Sequence, residues 1–141
     1  MSITGAFRKA FTRKAEQGWE KIYVLVDVHD TIIKGMYSKD EPWLWYDWAR
    51  LALKMMSMRD DICLILWTGS HVETVDAVVK TLEKRGIHFD YINENPEAED
   101  TDFYCSASKI YFNVGIDDKF GFEPETDWKE IVMFMSQIKD E

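Results

Sequence analysis

What the chain has little of narrows it first. It holds two cysteines, Cys63 and Cys105, in 141 residues, and no metal-ligand spacing links them. Cys63 sits inside an apolar run and reads as a buried thiol, although two cysteines can also pair. No apolar run approaches the ~20 residues that span a bilayer. The first residues have no continuous apolar core of the secretory type, so no signal peptide is expected. Internal repeats and low-complexity segments are absent. Basic residues are scarce too: 17 Lys and Arg stand against 26 Asp and Glu, for a net charge of −9. Phosphate contacts along nucleic acid need clustered Lys and Arg, so this balance weighs against a nucleic-acid partner. A cytoplasmic setting suits such a chain.

The length is that of one domain, large enough to bury a core without disulfides or a structural metal. Charge is unevenly placed. Residues 1–21 carry Arg8, Lys9, Arg13, Lys14 and Lys21 against Glu16 and Glu20, or +3, which leaves −12 on residues 22–141. The division expected is therefore a basic helical extension over 1–21 and one globular domain over 22–141. In the extension, Phe7, Phe11 and Trp19 favour a helix packed through its aromatics over an anchor for an anionic partner or membrane surface.

Ile22 to Val26 is a continuous apolar run that ends in Asp27-Val28-His29-Asp30-Thr31, which reads as a parallel strand buried on both faces. Lys34 to Pro42 reads as a loop, with Pro42 opening a helix. Trp43, Leu44, Trp48, Leu51, Ala52, Met55 and Met56 then recur at helical spacing, beside Trp45 and Tyr46. So dense an aromatic cluster is read first as core, then as a substrate mouth or a contact in a homo-oligomer. A second strand covers Ile62–Trp67. A helix opened by Ser70 or His71 follows and ends at Gly86. Phe89–Ile92 and Ile110–Ile116 read as further strands, residues 93–108 as a long loop, and Trp128 to Ile138 as a last helix. Strands alternating with helices point to a three-layer α/β/α, Rossmann-like parallel sheet.

Three strands end in polar clusters. Asp27, Asp117 and Asp118 are strand-end carboxylates that repel one another unless a divalent cation lies between them, and few hard oxygen ligands with room for water describe Mg²⁺. An Asp held there can attack phosphorus, with nearby donors neutralising the charge that spreads over the transferring group. Thr68-Gly69-Ser70 offers a hydroxyl and backbone N–H groups at a helix start, which is either an anion site or a plain cap. Lys109 precedes the strand that ends in Asp117.

Taken in order, strand–Asp27-x-x-x-Thr31, strand–Thr68-Gly69 and Lys109–strand–Asp117-Asp118 resemble the haloacid dehalogenase (HAD) superfamily of phosphohydrolases, in its small form without a cap domain. The resemblance covers roughly residues 22–118. It implies Asp27 as nucleophile and Mg²⁺ ligand, with the backbone carbonyl of His29 as another ligand. Asp117 and Asp118 would complete the metal site. Thr68 and Gly69 would bind the phosphoryl group, and Lys109 would hold the charge of nucleophile and phosphate. Phosphatases of that superfamily usually carry an Asp two residues after the nucleophile as general acid and base. His29 stands there instead. Imidazole can do acid–base work near neutral pH, so the readings are, in order, His-assisted hydrolysis, slow hydrolysis with a persistent phosphoaspartate, and no turnover. The function expected is a Mg²⁺-dependent phosphomonoester hydrolase acting on a small substrate such as a nucleotide or sugar phosphate. The alternative is a phosphate-binding or scaffold module that has lost its general acid. A dehalogenase needs no metal, which the acidic pair at 117–118 counts against.

Overall fold

The computed structural model describes residues 2–34, 43–69, 72–98 and 110–138. Lys109, Ser70, His71, Cys105 and the helix start read at Pro42 lie outside the described residues. Four strands, β1 (Ile22–Asp27), β2 (Ile62–Trp67), β3 (Tyr91–Ile92) and β4 (Val114–Ile116), form one parallel sheet in the order β3-β2-β1-β4. The helices are α1 (Ile3–Gln17), α2 (Ala49–Ser57), α3 (Val72–Glu83) and α4 (Pro124–Gln137). Gly18 and Gly86, both at positive φ, follow α1 and α3 in the left-handed conformation that glycine adopts without strain. This is the α/β, Rossmann-like class expected.

The two faces of the sheet are filled differently. Ile22, Val24 and Val26 of β1 and Ile62, Leu64 and Leu66 of β2 point to one side, where residues of all four helices join them in a single core. Phe7 of α1 is fully buried there and packs on Phe134 of α4. Leu25, Cys63 and Ile65 face the other side and form a smaller cluster with Tyr23, Tyr91 and Ile110. On this side Glu97, in the short 3-10 turn that follows β3, accepts from the Tyr91 hydroxyl at 2.7 Å and pairs with Lys21 at 2.9 Å. Burial pushes the Cys63 thiol up to about 12, which makes it an inert core residue.

β3 and β4 are shorter than their apolar runs, for one reason. The Asp90 carboxylate accepts the Leu64 N–H at 2.8 Å, and the Asn113 side-chain oxygen accepts the Tyr23 N–H at 2.8 Å. In both places a side chain takes up a ladder position, so regular pairing begins one residue later. The aromatic stretch before α2 also differs from its spacing. Lys34 N–H donates to the Leu44 carbonyl and Tyr46 N–H to that of Ile32, and Ile33 bridges Trp45. Residues 44–46 are thus tied to 32–34 as extended chain, and the helix waits until Ala49, after Trp48 at positive φ. Of this stretch Trp43 is buried and Trp48 is exposed. α4 starts earlier than its apolar pattern, because Pro124 suits a first turn and the Asp127 carboxylate accepts the Glu123 N–H.

Candidate metal centre

All four strands run the same way, so their carboxyl ends share one edge. β2 lies on one side of β1 and β4 on the other, which makes the β1–β4 crevice the point where strand order reverses, and open α/β sheets bind ligands at such a point. Asp27 is the last residue of β1. Val26 pairs with Ile116, so Asp117 leaves the sheet beside Asp27. One carboxylate oxygen each from Asp27, Asp117 and Asp118 lies within 4.8 Å of the others. Asp27 is partly buried, Asp117 buried and Asp118 exposed.

A tight turn after β1 holds this arrangement. The N–H groups of Thr31, Ile32 and Ile33 all converge on the Val28 carbonyl, and Asp30, at φ 60°, donates its N–H to Ile33. That turn tucks Thr31 into the interior, fully buried. Its hydroxyl donates to Asp27 Oδ2 at 3.2 Å and accepts from the Asp118 N–H at 3.3 Å, joining the ends of β1 and β4 through one oxygen. The Thr31 carbonyl accepts the indole N–H of the fully buried Trp128 at 2.7 Å, which anchors the turn on α4. On the other strand, Asp117 Oδ1 accepts the Lys119 N–H at 2.9 Å and caps the 3-10 turn Asp118–Phe120. Gly115 is needed beneath that turn: a Cβ there would lie 2.7 Å from the Phe120 ring.

The geometry shows in the electrostatics. Asp27 is pushed up to about 6, first by burial and then by the Asp117 charge, with Asp118 adding to it. The Val28 N–H and the Thr31 hydroxyl oppose the rise. Asp118 is also raised, by burial and by Asp117. Crowded carboxylates that hold protons unusually well gain when a cation arrives. The donors are hard oxygens, and a cation of Mg²⁺ size holds opposed ligands at most ~4.2 Å apart, a separation these oxygens reach with small adjustments. The residues therefore suit a small divalent cation.

His29, two residues after Asp27, is buried, and its backbone bridges Ile33. Thr68 is buried at the end of β2 with Gly69 exposed beside it. Asp27 pairs in register with Trp67, so Thr68 leaves the same edge one residue beyond that pair. Asn93 fixes the Thr68 backbone from both sides, accepting its N–H at 2.8 Å and donating to its carbonyl at 2.9 Å. Burial raises the Tyr46 phenol, with the charges of Asp30, Glu125 and Asp118 adding to it, and Lys34 covers the ring of Tyr46 at 5.4 Å. Sequence reasoning missed the supports Thr31, Trp128 and Asn93. Thr31 carried a signal, since it falls four residues after Asp27 in the same cluster. Trp128 lies 97 residues from Thr31 and carried none.

No protein-family model matches the chain, and no curated protein does. Among solved structures it is similar to a conserved protein from Bacteroides thetaiotaomicron, with a TM-score of 0.63 and 24% identity over 84% of this chain and 93% of that one. At that identity the likeness is one of fold. No described helix is long and apolar enough to cross a membrane.

Proposed function

We propose that the protein is a Mg²⁺-dependent phosphomonoester hydrolase that works through an aspartyl-phosphate on Asp27, as its resemblance to the HAD superfamily implies. The observation that carries this reading is the packing of Asp27, Asp117 and Asp118 at the sheet's switch point. Asp27, Asp117 and Asp118, with the His29 carbonyl, would hold the cation. Bound there, it would neutralise charge on the carboxylates and on the phosphoryl oxygens.

Asp27 brings a carboxylate whose Oδ2 is already fixed by the Thr31 hydroxyl. One Asp27 oxygen forms the bond to phosphorus while the ester oxygen departs with its electron pair and takes a proton. Water then adds to phosphorus, frees the Asp27 carboxylate and loses a proton. His29 stands where the group that gives and takes these protons is usual. Thr68 and Gly69 N–H would bind phosphoryl oxygens, and Lys109 would balance the charge of nucleophile and phosphate. A small phosphomonoester, a nucleotide or sugar phosphate, is the substrate class.

Phosphate release from an aryl phosphate and a nucleotide panel, with Mg²⁺ or with EDTA, tests this. Turnover that needs Mg²⁺ and falls about a thousandfold or more in Asp27→Asn is expected. Imidazole at position 29 favours a second reading, a phosphate-binding module with little turnover. Strongly raised turnover in His29→Asp supports that second reading, and lost turnover makes His29 the working acid and base.

A further inference from the structure

We propose that the groove between α1 and the chain entering β4 is a second ligand site, one that takes an aromatic base bearing a phosphate, of the nucleoside monophosphate class. Lys9 and Arg13 stand one helical turn apart on the same side of α1, and Trp19, Tyr111 and Phe112 complete the walls of a cavity of about 310 Å³. That volume is at the lower end of the ~300–1,000 Å³ of ligand pockets, room for one ring system and one phosphate.

Two cations and three rings in one concavity are the recognition elements such a ligand needs. Lys9 and Arg13 are exposed, and neither makes an ion pair among the described residues, although the chain carries nine more acids than bases. Paired cationic donors of this kind suit phosphate. The rings supply flat apolar faces for stacking, which every base accepts. Phe112 is 38% exposed, with one side of its ring stacked on Phe120 at 6.1 Å. Tyr111 is fixed in place, edge-on to Tyr23 at 5.8 Å, with its hydroxyl accepting from Asn113 Nδ2 at 3.3 Å. A wall held this way loses little freedom when a ligand stacks on it. A membrane surface would need the apolar face of α1, and that face, Ile3, Phe7 and Ala10, is buried in the core.

The groove is separate from the aspartate cluster. Asn113 lines it at the amino end of β4, whereas Asp117 leaves the carboxyl end, four residues or ~13 Å further along the strand. A ligand here does not touch Asp27.

Calorimetric titration of the full chain in EDTA tests the proposal, with AMP and dTMP as probes, ribose 5-phosphate as the phosphate without a base, and adenosine as the base without phosphate. AMP or dTMP is expected to bind at least about tenfold more tightly than either fragment. Lys9→Ala/Arg13→Ala should weaken nucleotide binding at least about tenfold with an unchanged melting temperature, and Asp27→Asn should leave it intact. Binding that survives the double variant, that is lost in Asp27→Asn, or that ribose 5-phosphate matches overturns the proposal. So does no binding at ~10 mM nucleotide, a concentration that saturates millimolar sites.

Discussion

Replacing Asp27 by asparagine is expected to stabilise the cation-free protein at neutral pH, even as it removes the nucleophile. In the fold, Asp27 is raised from 3.8 to about 6 by burial and by Asp117. Below the unfolded value both states hold the proton and nothing is lost. Between the two values the unfolded chain releases its proton first, so stability falls as pH rises, and above the folded value the full penalty is present. At ~1.36 kcal/mol per pH unit the gap has a ceiling of about 3 kcal/mol, and solvent around a half-exposed carboxylate cuts this to about 1.5 kcal/mol. Asparagine keeps an oxygen for the Thr31 hydroxyl and sheds the charge. Denaturant melts of both proteins in EDTA, from ~pH 4 to ~pH 7.5, isolate the effect as their difference, with the variant gaining about 1–2 kcal/mol over that range. Mg²⁺ should reverse the order, because a ligand at a hundred times its dissociation constant adds about 2.7 kcal/mol to the protein that binds it. A variant less stable than the wild type at neutral pH in EDTA, or a difference that does not change with pH, refutes the crowding of these carboxylates.

Three other perturbations probe the supports. Gly115→Ala puts a methyl against the Phe120 ring and should shift the turn that carries Asp118; Mg²⁺ affinity falls, and adding Phe120→Ala restores it, as calorimetric titration of the single and double variants would show. Trp128→Phe leaves the buried Thr31 carbonyl without its donor and should cost about 1–3 kcal/mol in a denaturant melt, with weaker Mg²⁺ binding as the Thr31 turn loosens. Asn93→Ala removes both bonds to the Thr68 backbone and places alanine at φ 57°. Hydrogen exchange should show the Thr68 amide losing its protection, with a stability loss of about 1–3 kcal/mol.

β1 and β2 were legible because their signal is local: each is a run of apolar residues buried on both faces, closed by a polar residue. The position of Asp27 and Asp117 on one edge followed from the parallel sheet alone. Asp90 and Asn113 shortened the other two strands through side chains that mimic the backbone, and apolar patterning does not register such substitutions. The aromatic run 43–48 has helical spacing, yet its backbone bonds go to residues 32–34, which a one-dimensional pattern cannot foresee. The same holds for Trp128, whose role at the site rests on a contact made by the folded chain.

Acidic residues often gather on surfaces at no cost, because they can move apart. Here the backbone that carries them is fixed. The Val26–Ile116 pairing sets the ends of β1 and β4 side by side, Thr31 bonds to both, and Trp128 holds Thr31 to the core. Asp117 is further pinned by the Lys119 N–H. Repulsion between the partly buried Asp27 and the buried Asp117 is therefore relieved by a proton or a cation, and at neutral pH a value of about 6 leaves Asp27 mostly charged. A fold that keeps such a cost at the reversal point of its sheet, with a buried hydroxyl bonded to the Asp27 carboxylate and to the Asp118 backbone, has the form of a site shaped for an ion.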